Sequence, residues 1–146
     1  MRVKLKKDWD SQEKSIEQLH NDSILWKSEI NFILDEIKFL EHLLSSKYID
    51  FLDGGLYKKI EAPVFKISNK KTTGATLIKI INEQEAILSK LIDNNTANSN
   101  KNYFETHKKI KKEVYQYINK FKKIKGVIFN IVEDVMRKKT QKKLIG

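Results

Sequence analysis

The stretch that most constrains this chain runs from Ile16 to Leu44. Apolar or small residues recur there in alternating steps of three and four: Ile16, Leu19, Ser23, Trp26, Ile30, Ile33, Ile37, Leu40 and Leu44. This is the heptad seam of a helix packed at a shallow angle on a neighbour. A second apolar row runs beside it through Leu25, Phe32 and Phe39, with Leu43 one turn on. A helix with two apolar rows needs two neighbours, or one neighbour and one partner molecule.

The rest of the chain is suited to supply them. Asp10 with Glu13 reads as an N-cap and capping box, and Asp53-Gly54-Gly55 as a glycine stop, so the first helix is expected to reach about Phe51. Between 74 and 93 lie two short rows, Leu77, Ile80, Gln84, Ile87, Leu91 and Ile78, Ile81, Glu85, Leu88, Ile92. Pro63 fits only an early helical position, and the polar run 68–74 predicts a break with a new start at Thr72 or Thr73. Residues 93–100 read as a loop. A last helix is expected from Asn102, with Glu105 at the capping-box position, along Tyr103, His107, Ile110, Val114, Tyr117, Phe121, Ile124, Ile128, Ile131 and Val135. Gly126 interrupts it, as a close approach or a bend.

Composition agrees with an all-α fold. The 146 residues are 33% charged and include only five Gly and one Pro, and helix breakers are correspondingly rare. The simplest architecture is an elongated antiparallel three-helix bundle, one domain over 1–146. Its first and last helices are long, and its middle helix is shorter or broken near 68–74. Residues 1–9 and 138–146 read as frayed basic termini. With no Cys there are no disulfides and no thiolate metal sites. No apolar run approaches the roughly 20 residues of a membrane span. The basic start has no apolar segment after it, so no secretory signal and a cytoplasmic location are expected.

Charge is unevenly spread within the net +10. Residues 11–53 carry nine acidic and four basic side chains, and residues 102–146 carry four acidic and thirteen basic ones. The first reading is mutual attraction of acidic and basic helices inside the fold. The second is an acidic partner such as nucleic acid, met by Lys108, Lys109, Lys111, Lys112, Lys122 and Lys123, with Lys120, Lys125 and Tyr115 nearby. These lysines spread around the helix circumference, which favours a solvated surface.

No catalytic signature is present: there is no Gly-rich phosphate loop and no nucleophile elbow. Helical di-iron sites want two Glu-x-x-His pairs, and this chain has one, Glu17 and His20. In an antiparallel bundle, Glu17, His20, Glu85 and His107 fall within about 5 Å of one level at 1.5 Å per residue. Such a layer is a ligand set for zinc or iron, or a hydrogen-bonded polar layer that fixes register; rotation of the rows would instead expose it.

Leu19-His20, Leu25-Trp26-Lys27-Ser28-Glu29-Ile30, Phe32, Glu36-Ile37, Phe39 and Leu43-Leu44 resemble a set of small uncharacterised helical proteins from bacteria, with a weaker echo over Tyr103 to Ile110 that includes His107. The resemblance implies a stand-alone cytosolic helical bundle and brings no activity with it. The sequence therefore predicts a non-enzymatic interaction or scaffold protein. Its partner face is Leu25, Phe32, Phe39 and Leu43, met by another protein or a second copy. Trp26 lies on the seam and is expected in the core. A nucleic-acid-associated protein and a metal-binding bundle are the alternatives.

Overall fold

The computed structural model describes residues 15–53, 55, 57–95 and 100–145, with side chains as far as Gln141. Its regular structure is entirely helical: α1 Ile16–Ser46, α2 Tyr48–Asp53, α3 Tyr57–Asp93 and α4 Lys101–Ile145. The all-α class expected from the sequence is therefore observed. No helix among the described residues is long and apolar enough to cross a membrane.

The start of α1 is set by Ser15. Its hydroxyl accepts the Gln18 N–H at 3.2 Å, while the Gln18 side chain accepts the Ser15 N–H at 2.8 Å. This reciprocal box satisfies two otherwise orphaned donors. Asp10, Glu13 and the rest of 1–14 lie outside the described residues. The seam then behaves as its spacing dictates. Leu19, Ser23, Trp26, Ile30, Ile33, Ile37, Leu40 and Leu44 are all buried. The helix is interrupted at Lys47 rather than running unbroken to Phe51, and α2 follows directly, delivering Phe51 into the core at 1% exposure. Gly55 supplies the expected glycine stop. Its positive φ of 70° suits a residue without Cβ, and its N–H donates to Leu52 O at 3.2 Å.

The predicted break in the middle helix does not occur. α3 is one helix of 37 residues, about 55 Å long at 1.5 Å per residue. Pro63 sits inside it and is buried. The polar run that suggests a new start stays helical, and its hydroxyls bond back along the helix. Thr73 Oγ1 donates to Asn69 O at 3.0 Å and Thr76 Oγ1 to Thr72 O at 3.1 Å. Continuity also decides which face is inside. Ile60, Ile67, Gly74, Ile81 and Leu88 repeat every seven residues and are all buried. That row exists only if the helix is unbroken. Ile87 and Ile92, expected inside, are instead exposed.

α4 begins slightly earlier than expected. Asn100 Oδ1, rather than an Asn102–Glu105 box, accepts the Tyr103 N–H at 2.8 Å. The helix continues to Ile145, through the stretch expected to fray. Gly126 meets no neighbour within 4 Å, so it is not the point of close approach. Gly74 is. A Cβ built there would collide with the Tyr117 hydroxyl, which donates to Lys70 O at 3.1 Å.

Contacts order the helices. Between α1 and α3, His20 meets Glu85, Lys27 meets Asn82 and Lys71 meets Glu41, so numbers rise on one helix as they fall on the other. Between α1 and α4, His107 meets Asp22 and Lys125 meets Glu36, and Lys139 meets Asp50 of α2, rising together. Acidic α1 thus pairs with lysines of α3 and α4, as the first reading of the charge asymmetry expects. Each exposed pair contributes only about 0–1 kcal/mol, so register rather than stability is what they supply. The main apolar cluster runs from Trp26 to Val135, and a smaller one of Leu19, Leu88, Tyr103 and Phe104 closes one end.

The two helical glycines give opposite predictions. Gly126→Ala, in open space, should stabilise by about 0.5–1 kcal/mol through helix propensity. Gly74→Ala should destabilise by about 1–2 kcal/mol, because displacing Tyr117 outweighs the same gain. Thermal or urea denaturation of the two variants measures both signs.

Candidate functional site

The polar residues expected at one level near one end are divided between two separate pairs. His107 is 4% exposed and lies on the core row of α4. Its ring packs on Trp26, with centroids 4.6 Å apart, and its Nε2 is 3.0 Å from Asp22 Oδ2. With Asp22 ionised, its carboxylate can only accept, and Nε2 is then the donor of that bond. His20 is an exposed residue on the opposite flank of α1, and its Nδ1 lies 2.7 Å from Glu85 Oε2. Glu17 lines the same open cleft as His20 and Glu85. The structure therefore brings Glu17, His20 and Glu85 around one cleft and sends His107 to Asp22.

The reason is angular. His20 and Asp22 are two residues apart, about 200° around the helix, and so face different neighbours. Among the described residues, no group of three or more His, Cys, Asp or Glu side chains is placed to hold a metal ion. Beside these pairs the Tyr103 hydroxyl is buried without a hydrogen-bond partner among the described residues. Burial, and then the nearby Glu85 carboxylate, push its pKa up to about 12. Tyr117 is likewise raised to about 12 by burial. Both phenols are therefore neutral at neutral pH, and of the two only Tyr117 has a hydrogen-bond partner among the described residues.

The second row of α1 stands out for its exposure. Leu25, Phe32 and Phe39 are 56%, 65% and 59% exposed, while Leu43 is half-buried. The row does not bury α3, the other role its spacing allows. Its central member, Phe32, lines a groove of about 400 Å³ between α1 and α4, floored by Ile33, Ile118 and Phe121. Glu29 and Glu36 rim it on the α1 side, Lys122 and Lys125 on the α4 side. On α4, Tyr115 and Phe129 are also exposed. From the sequence, Phe129 falls with Ile118, Val132 and Met136 in a set flanking the core row, and Tyr115 belongs to no apolar set. A single helix shows which residues share a row, but the neighbour that ends up beside Phe32 depends on the packing of both helices.

The lysines suggested for nucleic acid do not share one surface. Lys108, Lys109, Lys112, Lys122 and Lys123 are exposed around α4, and Lys111 reaches over the Tyr115 ring at 5.9 Å. Lys123 instead joins Lys66, Lys70 and Lys120 in a shallow groove between α3 and α4. Burial and the charge of Lys120 lower the Lys70 pKa. A separate apolar corner, around Tyr48, Phe51 and Tyr57, lies where α1, α2 and α3 meet.

No family model matches this chain, and no curated protein or solved structure matches it. Its function therefore has to be read from the surfaces just described.

Alanine at the two histidines separates the core pair from the surface pair. His107→Ala should cost about 2–4 kcal/mol, because it empties a filled core position beside Trp26. His20→Ala should cost less than about 1 kcal/mol, as expected of an exposed ion pair. Denaturant unfolding of each variant measures the difference, and equal costs would mean His107 is not a core residue.

Proposed function

We propose that this chain is a non-enzymatic interaction protein: a single-domain, cytoplasmic, antiparallel three-helix bundle that takes another apolar helix on the α1–α4 face. The observation that carries the reading is the row Leu25, Phe32 and Phe39. Three large apolar residues, each more than half exposed, lie one heptad apart on a helix whose opposite face is fully packed. Scattered exposed apolar residues need no explanation. An aligned row beside a groove with an apolar floor has the form of a helix-in-groove site, where anchors recur at helical spacing. The opposite-sign rims would orient the incoming helix and add specificity more than affinity.

A second reading has one observation of its own. Lys66, Lys70, Lys120 and Lys123 line one groove between α3 and α4. By contrast, Lys71, Lys125 and Lys139 each meet a carboxylate. Phosphate groups of a nucleic acid would suit that groove, with the strong salt dependence such contacts carry. The apolar row ranks first because burying it removes far more unfavourable solvent exposure than neutralising solvated lysines does.

The test is retention of protein by the tagged full chain from its own cells after nuclease treatment, compared with Phe32→Lys. The interaction reading predicts one retained helical protein, or additional untagged copies of this chain, in near-equal amount, lost in the variant. Retention that survives Phe32→Lys, or nucleic acid retained in its place and released by salt, would contradict it.

A further inference from the structure

The face that carries Leu25, Phe32 and Phe39 has a second half on α4, and the two halves complement each other. Asp22 and Glu36 bond to α4, and Leu25 and Phe39 lie three residues beyond them. Lys125 bonds to α1, and Lys122 lies three residues before it. A step of three turns a side chain by about 300°, which is 60° in the opposite sense. Both rows therefore open away from the core on the same side of the groove: Leu25, Phe32, Phe39 on α1 and Tyr115, Lys122, Phe129 on α4.

Their heights interleave. The cross-helix partners Asp22 and His107, Glu36 and Lys125, and Asp50 and Lys139 differ by 85 to 89 in number. Leu25, Phe32 and Phe39 thus stand level with about residues 112, 119 and 126 of α4; 119 and 126 are midway between members of the exposed row at 115, 122 and 129, and 112 lies just before its first member. Building on the reading of this face as an interaction surface, we propose that its occupant is a second copy of the chain, related by a twofold axis parallel to the helices. That axis lays α1 of one copy over α4 of the other at equal height. Phe32 then enters between Tyr115 and Lys122 of the partner subunit, and Phe39 between Lys122 and Phe129 of the partner subunit.

Charge selects this axis over the alternative. With the parallel twofold, Glu29 and Asp35 face Lys111 and Lys122 of the partner subunit. A twofold perpendicular to the helices sets α1 on α1, so the same carboxylates face their own copies and the lysines face lysines. Like charges brought together across an interface oppose association. The area is sufficient as well. Five large apolar residues per copy, each 40–65% exposed, come together. At the surface typical of such side chains they bury on the order of 1,000 Å² in total, where specific interfaces begin. The interface is isologous, as closed homodimers require.

Sedimentation velocity of the full chain at tens of micromolar reads the stoichiometry. The expected species is a dimer, and Phe32→Lys should raise its dissociation constant by about thirtyfold or more, the effect of losing a central aromatic anchor. Helicity is checked by circular dichroism, and Lys122→Glu serves as a second variant with a weaker effect in the same direction. Orientation is read by oxidative crosslinking, since the chain has no cysteine of its own. A mixture of Phe32→Cys and Lys122→Cys chains should give the mixed disulfide, while Phe32→Cys alone should crosslink poorly. Dominant self-crosslinking of Phe32→Cys overturns the parallel axis. A monomer, or a dimer indifferent to Phe32→Lys, overturns the second copy as occupant. A monomeric chain that still retains an unlike protein through Phe32 overturns only this inference, whereas one that retains nothing overturns the interaction reading too.

Discussion

The α1 seam is the constraint on which the other helices depend. Eight residues from Leu19 to Leu44 are buried on one stripe, and only one rotation of the helix achieves that. With that rotation fixed, Asp22 and Glu36 must face α4, His20 and Glu41 must face α3, and Leu25, Phe32 and Phe39 must face outward. Turning α1 to hide the phenylalanines would turn Trp26 and the six isoleucine and leucine side chains of the seam out of the core. At about 1.5–3 kcal/mol for each fully buried apolar side chain, that exchange is unfavourable. The exposed row is therefore a consequence of core packing.

α3 and α4 are held by a different device. Gly74 removes a side chain where Tyr117 must lie, and the Tyr117 hydroxyl donates to the Lys70 carbonyl across the helices. This brings two basic helices into close contact despite their charge. Its consequence is visible next to it, where Lys70 is partly desolvated and near Lys120. α1 supplies carboxylates on its two flanks, Glu41 toward Lys71 of α3 and Glu36 toward Lys125 of α4, which fix its register against both basic helices.

Much of this is legible in the sequence, for physical reasons. The α1 seam and the α4 row have strong 3.6-residue periodicity, and burial follows periodicity closely when a helix is long. The row of exposed phenylalanines is visible for the same reason. α3 is harder to read because Pro63, Gly74 and a polar run imitate a boundary. These are local signals, and the tertiary row Ile60, Ile67, Gly74, Ile81, Leu88 overrides them. The role of close-approach glycine falls to Gly74 instead of Gly126, a choice made by Tyr117 on another helix. Asp22 as the partner of His107 is hidden as well. His107 announces itself by interrupting an apolar row, but its partner lies on the flank of a distant helix, where one chain offers several carboxylates at similar height.

The most direct measurement is carbene footprinting of the full chain over a range of concentrations, read residue by residue along α1. At high dilution Phe32 and Phe39 should label strongly while Ile30 and Ile37 stay silent, and raising the concentration should protect the two phenylalanines alone. Equal labelling of Ile30 and Phe32 would mean that α1 is rotated differently. Phenylalanines that label at every concentration, alone and in cell extract, would mean that the row is surface with no partner to cover it.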